Sequence, residues 1–257
     1  MIIKTVLNKN QAQGLLLFFY VLAACFFVYY FRPIYLASIL IVLAPPALIN
    51  FFWLKKTKNK VLIFSLLSAP LFALPLELAS RLANSWDVQS ILPRFLEIAP
   101  LENLLFAFLN FFWGISFYEY FINHERNKQI SQRFKYLIIL FIIFSVIIYS
   151  LYFLNPALIS LDYYLVAIIV LLIPLTTFLI RKPKLIKKVV WPTLFFALIF
   201  FVYETVSLQI GSWWWPGNYL WPVNYLGHVF PIDDVVIWYL LSTPALIAGY
   251  DFFVDNG

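Results

Sequence analysis

The feature that most constrains this chain is the recurrence of long apolar runs separated by short polar connections. Eight can be drawn, at about 14–31, 33–54, 60–83, 100–122, 135–154, 161–180, 188–210 and 231–253. A run of roughly twenty apolar residues, rising about 1.5 Å per residue as a helix, matches a hydrocarbon core about 30 Å thick. In lipid every backbone N–H and C=O needs an internal partner, which leaves helices or a closed barrel. Barrel strands alternate apolar and polar residues, and these runs do not. The expectation is an all-α integral membrane protein with about eight transmembrane helices. With 63% hydrophobic and 12% charged residues, the chain fits neither a soluble domain nor a disordered segment.

The few charges are placed unevenly. Lys4 and Lys9 precede the first run. Lys55, Lys56, Lys58 and Lys60 fall between the second and third. Arg126, Lys128, Arg133 and Lys135 fall between the fourth and fifth, and Arg181, Lys182, Lys184, Lys187 and Lys188 between the sixth and seventh. Only Arg32, Arg81 and Arg94 of the 18 basic residues depart from one side of an eight-helix arrangement. By the positive-inside rule both termini are expected in the cytoplasm, with the chain in the cell (inner) membrane. The net charge of +6 follows from this asymmetry. No basic face with base-reading elements is visible, so the expected surrounding is the lipid bilayer and not nucleic acid. Cys25 is the only cysteine, which rules out an intrachain disulfide. Leu22-Ala23-Ala24-Cys25 has the form of a lipoprotein cleavage site. Phe26-Phe27-Val28 continue the apolar run, however, as a retained helix would, which makes Cys25 a small buried hydrophobe.

The chain also repeats itself. Glu77 and Trp86 recur as Glu204 and Trp213, 127 residues on. Pro100-Leu101-Glu102-Asn103 recurs as Pro231-Ile232-Asp233-Asp234, 131 residues on. Leu43-Ala44-Pro45-Pro46 and Leu172-Ile173-Pro174 each put proline inside an apolar run ahead of a basic loop. Two halves of four helices follow, 1–125 and 126–257, forming one integrated membrane domain. An even number of helices per half makes the repeats parallel, related by an axis along the membrane normal.

Acids inside apolar runs are costly and usually functional. Glu77 and Glu204 each lie roughly two to three turns from the outer end of a helix. Glu77 has Arg81 four residues on, the spacing of a helical ion pair, whereas Glu204 has Leu208 there. A carboxyl in an apolar site without a cation favours its protonated form and can donate that proton. The alternative for Glu204 is an interhelical hydrogen bond. Glu102, Asp233 and Asp234 open their helices just after a proline, where acids complement the helix dipole. Asp233 and Asp234, if close, share a proton, while Asn103 in the other half can orient but not protonate. The loop Trp213-Trp214-Trp215-Pro216-Gly217-Asn218-Tyr219 reads as an interfacial anchor or as a ring-lined pocket for a carbocation. Trp86 and Trp213 are the rings that recur, and Trp214 accompanies them. His228, three residues before Pro231, is a candidate proton acceptor or a solvated loop histidine.

Absences narrow the chemistry. There is no glycine-rich phosphate loop or dinucleotide fingerprint. No metal-ligand spacing and no aspartate-rich pair for a Mg²⁺-bound diphosphate occur. The expectation is proton chemistry with no cofactor and no metal, on an apolar substrate reached from the bilayer.

These motifs resemble the lycopene cyclase domain family, the membrane type of heterodimeric or fused bacterial, archaeal and fungal carotenoid cyclases. In that family one helix ends with an acid and a following Trp, and the next opens with Pro-x-Glu-Glu. Glu77, Trp86 and Pro100-Leu101-Glu102-Asn103 correspond to one copy, and Glu204, Trp213 and Pro231-Ile232-Asp233-Asp234 to the other. The resemblance covers about residues 33–122 and 161–253. It departs at Asn103, where the family has Glu, and at Asp233-Asp234, where it has Glu-Glu. It implies an isomerase that protonates the terminal alkene of an acyclic carotenoid, closes a six-membered ring and loses a neighbouring proton, with no net redox change. Catalytic residues are then expected among Glu204, Asp233, Asp234, Glu77 and Glu102, and substrate-binding residues among Trp86, Trp213, Asn103, Trp214 and His228. A related cyclase for another isoprenoid, a non-catalytic carotenoid-binding partner subunit within a homo- or hetero-oligomer, and a transporter are the alternatives.

Overall fold

The computed structural model describes residues 8–158 and 168–255. Helix α1 (Lys9–Phe31) starts at a reciprocal cap, in which Asn8 Oδ1 accepts from the Gln11 N–H and Gln11 Oε1 from the Asn8 N–H. It stops at Arg32, because Pro33 cannot continue it. The second span, Tyr35–Trp53, breaks at Leu43 into α2 (Tyr35–Val42) and α3 (Ala44–Trp53). Pro45 there frees the carbonyl of Ile41, which accepts the Tyr20 hydroxyl at 2.9 Å. Helix α4 (Lys58–Leu82) carries Pro70 and Pro75. The carbonyl that Pro75 frees, Leu71 O, accepts Ser145 Oγ at 2.9 Å. Neighbouring helices thus take up these two carbonyls, as a helix in lipid requires.

Two short strands, β1 (Asp87–Val88) and β2 (Arg94–Phe95), precede β3 (Ala99–Pro100) and α5 (Leu101–Phe117), which a π-helical turn extends to Asn123. Next come α6 (Phe134–Leu154), α7 (Ile173–Arg181) after a π-helical turn at Ile168–Leu172, and α8 (Ile186–Ile210). Strands β4 (Trp213–Trp214), β5 (Pro222–Tyr225) and β6 (His228–Pro231) lead into the last span, Ile232–Asp255. That span joins α9 (Ile232–Asp234), a π-helical turn Val235–Leu241 and α10 (Ser242–Tyr250), and ends in a π-helical turn Asp251–Asp255.

Seven described helices are long and apolar enough to cross a membrane, as expected of an integral membrane protein. The eighth expected span, 161–180, is met by α7 and its preceding turn, and its first part lies outside the described residues. Burial is inverted relative to a soluble protein. Large apolar side chains such as Phe26, Tyr30, Phe153 and Trp191 face outward, while Glu77, Glu102, Glu119, Glu204, Asp234 and Asp251 are buried. An outer surface of this kind is matched to lipid tails, with the polar groups turned to the bundle interior.

Strands β1 and β4 pair antiparallel, Asp87 opposite Trp214 and Val88 opposite Trp213. The connections that follow Glu77 and Glu204 are thereby stitched together across the bundle. Gly217 completes the seam. A Cβ there would lie 2.9 Å from the Asn84 carbonyl oxygen, so only glycine lets the two loops approach this closely.

Candidate functional site

Beneath this seam lies a cavity of about 210 Å³, walled by α4, α5, α8 and the last span. Both duplicated glutamates line it. Each sits on a long helix, five or six residues before that helix ends, and each meets the tryptophan nine residues later. Trp86 Nε1 donates to Glu77 Oε2 at 3.2 Å, and Trp213 Nε1 to Glu204 Oε1 at 2.5 Å. The loop doubles back over its own helix end, which is how a fixed sequence spacing becomes a contact.

The two carboxyls differ in their remaining partners. Glu77 Oε1 also accepts Arg81 Nε at 2.8 Å and Asn103 Nδ2 at 2.8 Å. Arg81 in turn pairs with Asp87, which lies 3.4 Å from Arg94. Burial works to raise the Asp87 carboxyl, but the Val88 N–H and the Arg81 guanidinium outweigh it and hold it below the usual carboxylate range. Glu77 is therefore one end of a chain of side-chain pairs that runs through Arg81 and Asp87 to Arg94. Glu204 has no cation beside it among the described residues; Tyr239 and Trp215 are within interaction range instead. The pairing expected of Glu77 and Arg81 is thus present.

The doublets divide in the same way in both halves. Glu102 accepts from the Ile91 and Leu92 N–H groups and from Ser90 Oγ, at 2.7–2.8 Å, and does not line the cavity. Asp233 accepts from the Leu220 N–H at 2.8 Å and also stands outside it. Both fasten the preceding loop to the start of their helix. Asn103 and Asp234, one residue on, line the cavity. Neighbouring residues on a helix point about 100° apart, which turns Asp234 to the cavity and Asp233 to the Leu220 N–H. Behind Asp234, burial and its carboxylate push the Tyr219 hydroxyl up.

The recurring tryptophans do form a ring-lined wall. Trp213 meets Tyr203 and Tyr35 edge-on, with centroids 5.3 and 5.6 Å apart, and Trp86 meets Trp238 at 5.8 Å and Trp215 at 6.2 Å. Trp214 alternates outward on β4 and is 44% exposed, as an interfacial anchor would be. His228 stands on the β5–β6 hairpin opposite Tyr225, away from the cavity. Of the expected site residues, Glu77, Glu204, Asn103, Asp234, Trp86 and Trp213 therefore meet in one place. Glu102, Asp233, Trp214 and His228 do not join them.

The sequence reading missed Tyr35, Trp238 and Tyr239, which wall the cavity from positions carrying no local motif. It also missed a second polar cluster at the far ends of the same helices. Lys60 Nζ lies 2.7 Å from Glu119 and 2.5 Å from Asp255, and Glu119 accepts the Tyr250 hydroxyl at 2.6 Å. Lys188 Nζ lies 2.7 Å from Asp251, which accepts the Tyr118 hydroxyl. The signal was present: Tyr118-Glu119 recurs as Tyr250-Asp251, and Lys60 as Lys188, at spacings of 132 and 128 residues.

No group of His, Cys, Asp and Glu suited to a metal ion occurs among the described residues. Comparison of the chain with protein-family models, curated proteins and solved structures finds no match.

Proposed function

We propose that the protein is an integral-membrane cyclase that isomerises the end group of an acyclic isoprenoid of carotenoid type by proton transfer, without a cofactor. The observation that carries this reading is the meeting of Glu77 and Glu204 in one aromatic cavity, the first tied to a cation and the second not. Glu204 gives its proton to the terminal alkene. The π electrons of that alkene make the new C–H bond and leave a tertiary carbocation on the adjacent carbon. The π electrons of an internal alkene then close a six-membered ring. The aromatic rings of Trp86 and Trp213 stabilise the cation as it moves. A carbon beside the final cation loses its proton to the Glu204 or Asp234 carboxylate, which restores an alkene and leaves the mass unchanged. Which proton leaves sets a β, ε or γ ring.

The same reading makes the chain two parallel four-helix halves with both termini at the cytoplasmic face of the cell membrane. Three relationships support the repeat. The Glu–Trp contact occurs once in each half. The lysine–acid pairs at the far ends also occur once in each half, and each acid takes a hydroxyl from the other half's tyrosine. The spacing of matched residues grows from 131 at Glu102 and Asp233 to 132 at Tyr118 and Tyr250, and between these points lies the π-helical turn Val235–Leu241. One inserted residue in a helix produces such a turn.

The test is expression of this chain alone in a lycopene-accumulating bacterium, with pigments analysed by chromatography and mass spectrometry. A cyclic product of unchanged mass is expected from the wild type and is expected to be absent with Glu204→Gln at equal membrane abundance. Unchanged lycopene beside folded protein would remove lycopene as the substrate. A second reading, a carotenoid-binding partner subunit without activity, draws on Asn103 and on the saturation of Glu77 by three donors. It requires carotenoid to co-purify with the protein and no product to form.

A further inference from the structure

Among the α5 residues that line the cavity, Asn103, Asn110 and Gly114 follow one another at helical spacing. Asn110 is two turns from Asn103 on the same face, about 10 Å further into the bundle. Gly114 closes the bottom. A Cβ there would lie 3.3 Å from Leu246 Cδ2, so α5 and the last span pack closely at this level. Thr243 lines the same floor from the last span.

Asn110 makes no side-chain hydrogen bond among the described residues; its Oδ1 is sealed from a water-sized probe, whereas its Nδ2, a donor, is not. An unpaired amide inside an apolar bundle is costly, and native interiors rarely keep one without a reason. Between it and the acids the walls are rings, among them Phe72, Phe106, Phe111, Phe200 and Trp238. The cavity therefore has an acidic end, an aromatic waist and an amide floor. A pure hydrocarbon matches the first two and leaves the floor unsatisfied. A chain bearing an oxygen at the far end matches all three, and a hydroxyl, being both donor and acceptor, pairs with either orientation of the amide.

We infer that Asn110 determines specificity by binding a hydroxyl or carbonyl oxygen on the isoprenoid, about two helical turns from the acids. The cavity then takes an oxygenated acyclic isoprenoid in preference to the bare hydrocarbon. This rests on the reading that the cavity holds an isoprenoid chain. Its volume, below the ~300 Å³ at which sites begin to enclose a drug-sized molecule, suits a short end group.

The experiment uses the full chain in detergent and native mass spectrometry with two probes, geraniol and its deoxygenated hydrocarbon. Wild type should bind geraniol about tenfold more tightly, the worth of one hydrogen bond to an otherwise unpaired group. Asn110→Leu, of similar volume, should bring the two affinities within about twofold; Asn110→Thr, which keeps a hydroxyl, should retain part of the preference and serves if the leucine variant does not fold. Equal affinities in wild type, a preference that survives in Asn110→Leu, or no binding of either probe overturns the inference. Cyclisation of lycopene with equal probe binding would remove the Asn110 subsite and keep the cyclase. An alcohol preference lost in Asn110→Leu without any ring product would do the reverse.

Discussion

Asn103 and Glu77 are joined directly: the Asn103 amide donates to Glu77 Oε1 at 2.8 Å, while its oxygen accepts the Tyr35 hydroxyl at 2.9 Å. The residue at the matching place in the second half is Asp234, a carboxylate. The amide thus gives Glu77 a donor that Glu204 lacks at the matching place. Asn103→Asp should replace a donor with a second negative charge beside Glu77. The expected result is a loss of roughly 1–3 kcal/mol of stability, read as a lower unfolding temperature in detergent. Unchanged stability would mean that the amide does not hold Glu77.

Glu204→Gln should preserve the fold, because Trp213 Nε1 can still donate to the amide oxygen. Turnover should fall by about 10²–10⁴-fold, the usual worth of a positioned proton donor. Glu77→Gln should behave differently. It leaves the buried Arg81 with only Asp87 for charge compensation, so unfolding temperature and turnover should fall together. Equal behaviour of the two variants would argue against the division of roles.

At the far ends of the helices, Lys60→Met should cost about 3–5 kcal/mol, because Glu119 and Asp255 stay buried without their cation. Tyr250→Phe and Tyr118→Phe each remove one hydrogen bond to a buried carboxylate and should cost about 1.5–3 kcal/mol apiece. Similar losses in the two tyrosine variants are the expected mark of the near-symmetric cluster. Thermal unfolding of the three purified variants measures all of this.

Glu125 supplies a pH dependence. Its carboxylate accepts from the N–H groups of Lys55, Lys56 and Thr57, at the start of α4. Burial works to raise it, but these donors and the Thr57 hydroxyl hold it below its ordinary value of 4.5. A group whose folded value is depressed adds stability above its unfolded value and loses it as pH falls through the folded one. Stability should therefore decline below about pH 4.5, and Glu125→Gln should flatten that decline. An unaltered acid limb in the variant would show that Glu125 does not carry it.

Gly217→Ala should disturb the seam over the cavity, since its methyl would meet the Asn84 carbonyl oxygen at 2.9 Å. A backbone atom cannot swing aside as a side chain can, so the loops must part. Faster proteolysis within the Trp213–Tyr219 loop is the expected readout; a cleavage rate equal to wild type would contradict the close packing.

The sequence by itself determined the membrane class, most of the helices and the residues that repeat. Those follow from composition and period, which are local: a run of apolar residues needs a helix whatever its neighbours do. Glu77, Glu204, Trp86 and Trp213 were legible for the same reason, because each Glu–Trp contact spans nine residues within one helix and its loop. Only the tertiary structure decided where those residues meet. It put both glutamates in one cavity, and paired β1 with β4 above it. It sent Glu102 and Asp233 to loop N–H groups and Asn103 and Asp234 inward, a choice set by the rotation of each helix against its neighbours. It also paired Tyr118 with Asp251 and Tyr250 with Glu119, contacts between residues more than 130 positions apart. Such contacts depend on how helices pack; the repeat shows which residues correspond, but not which of them meet.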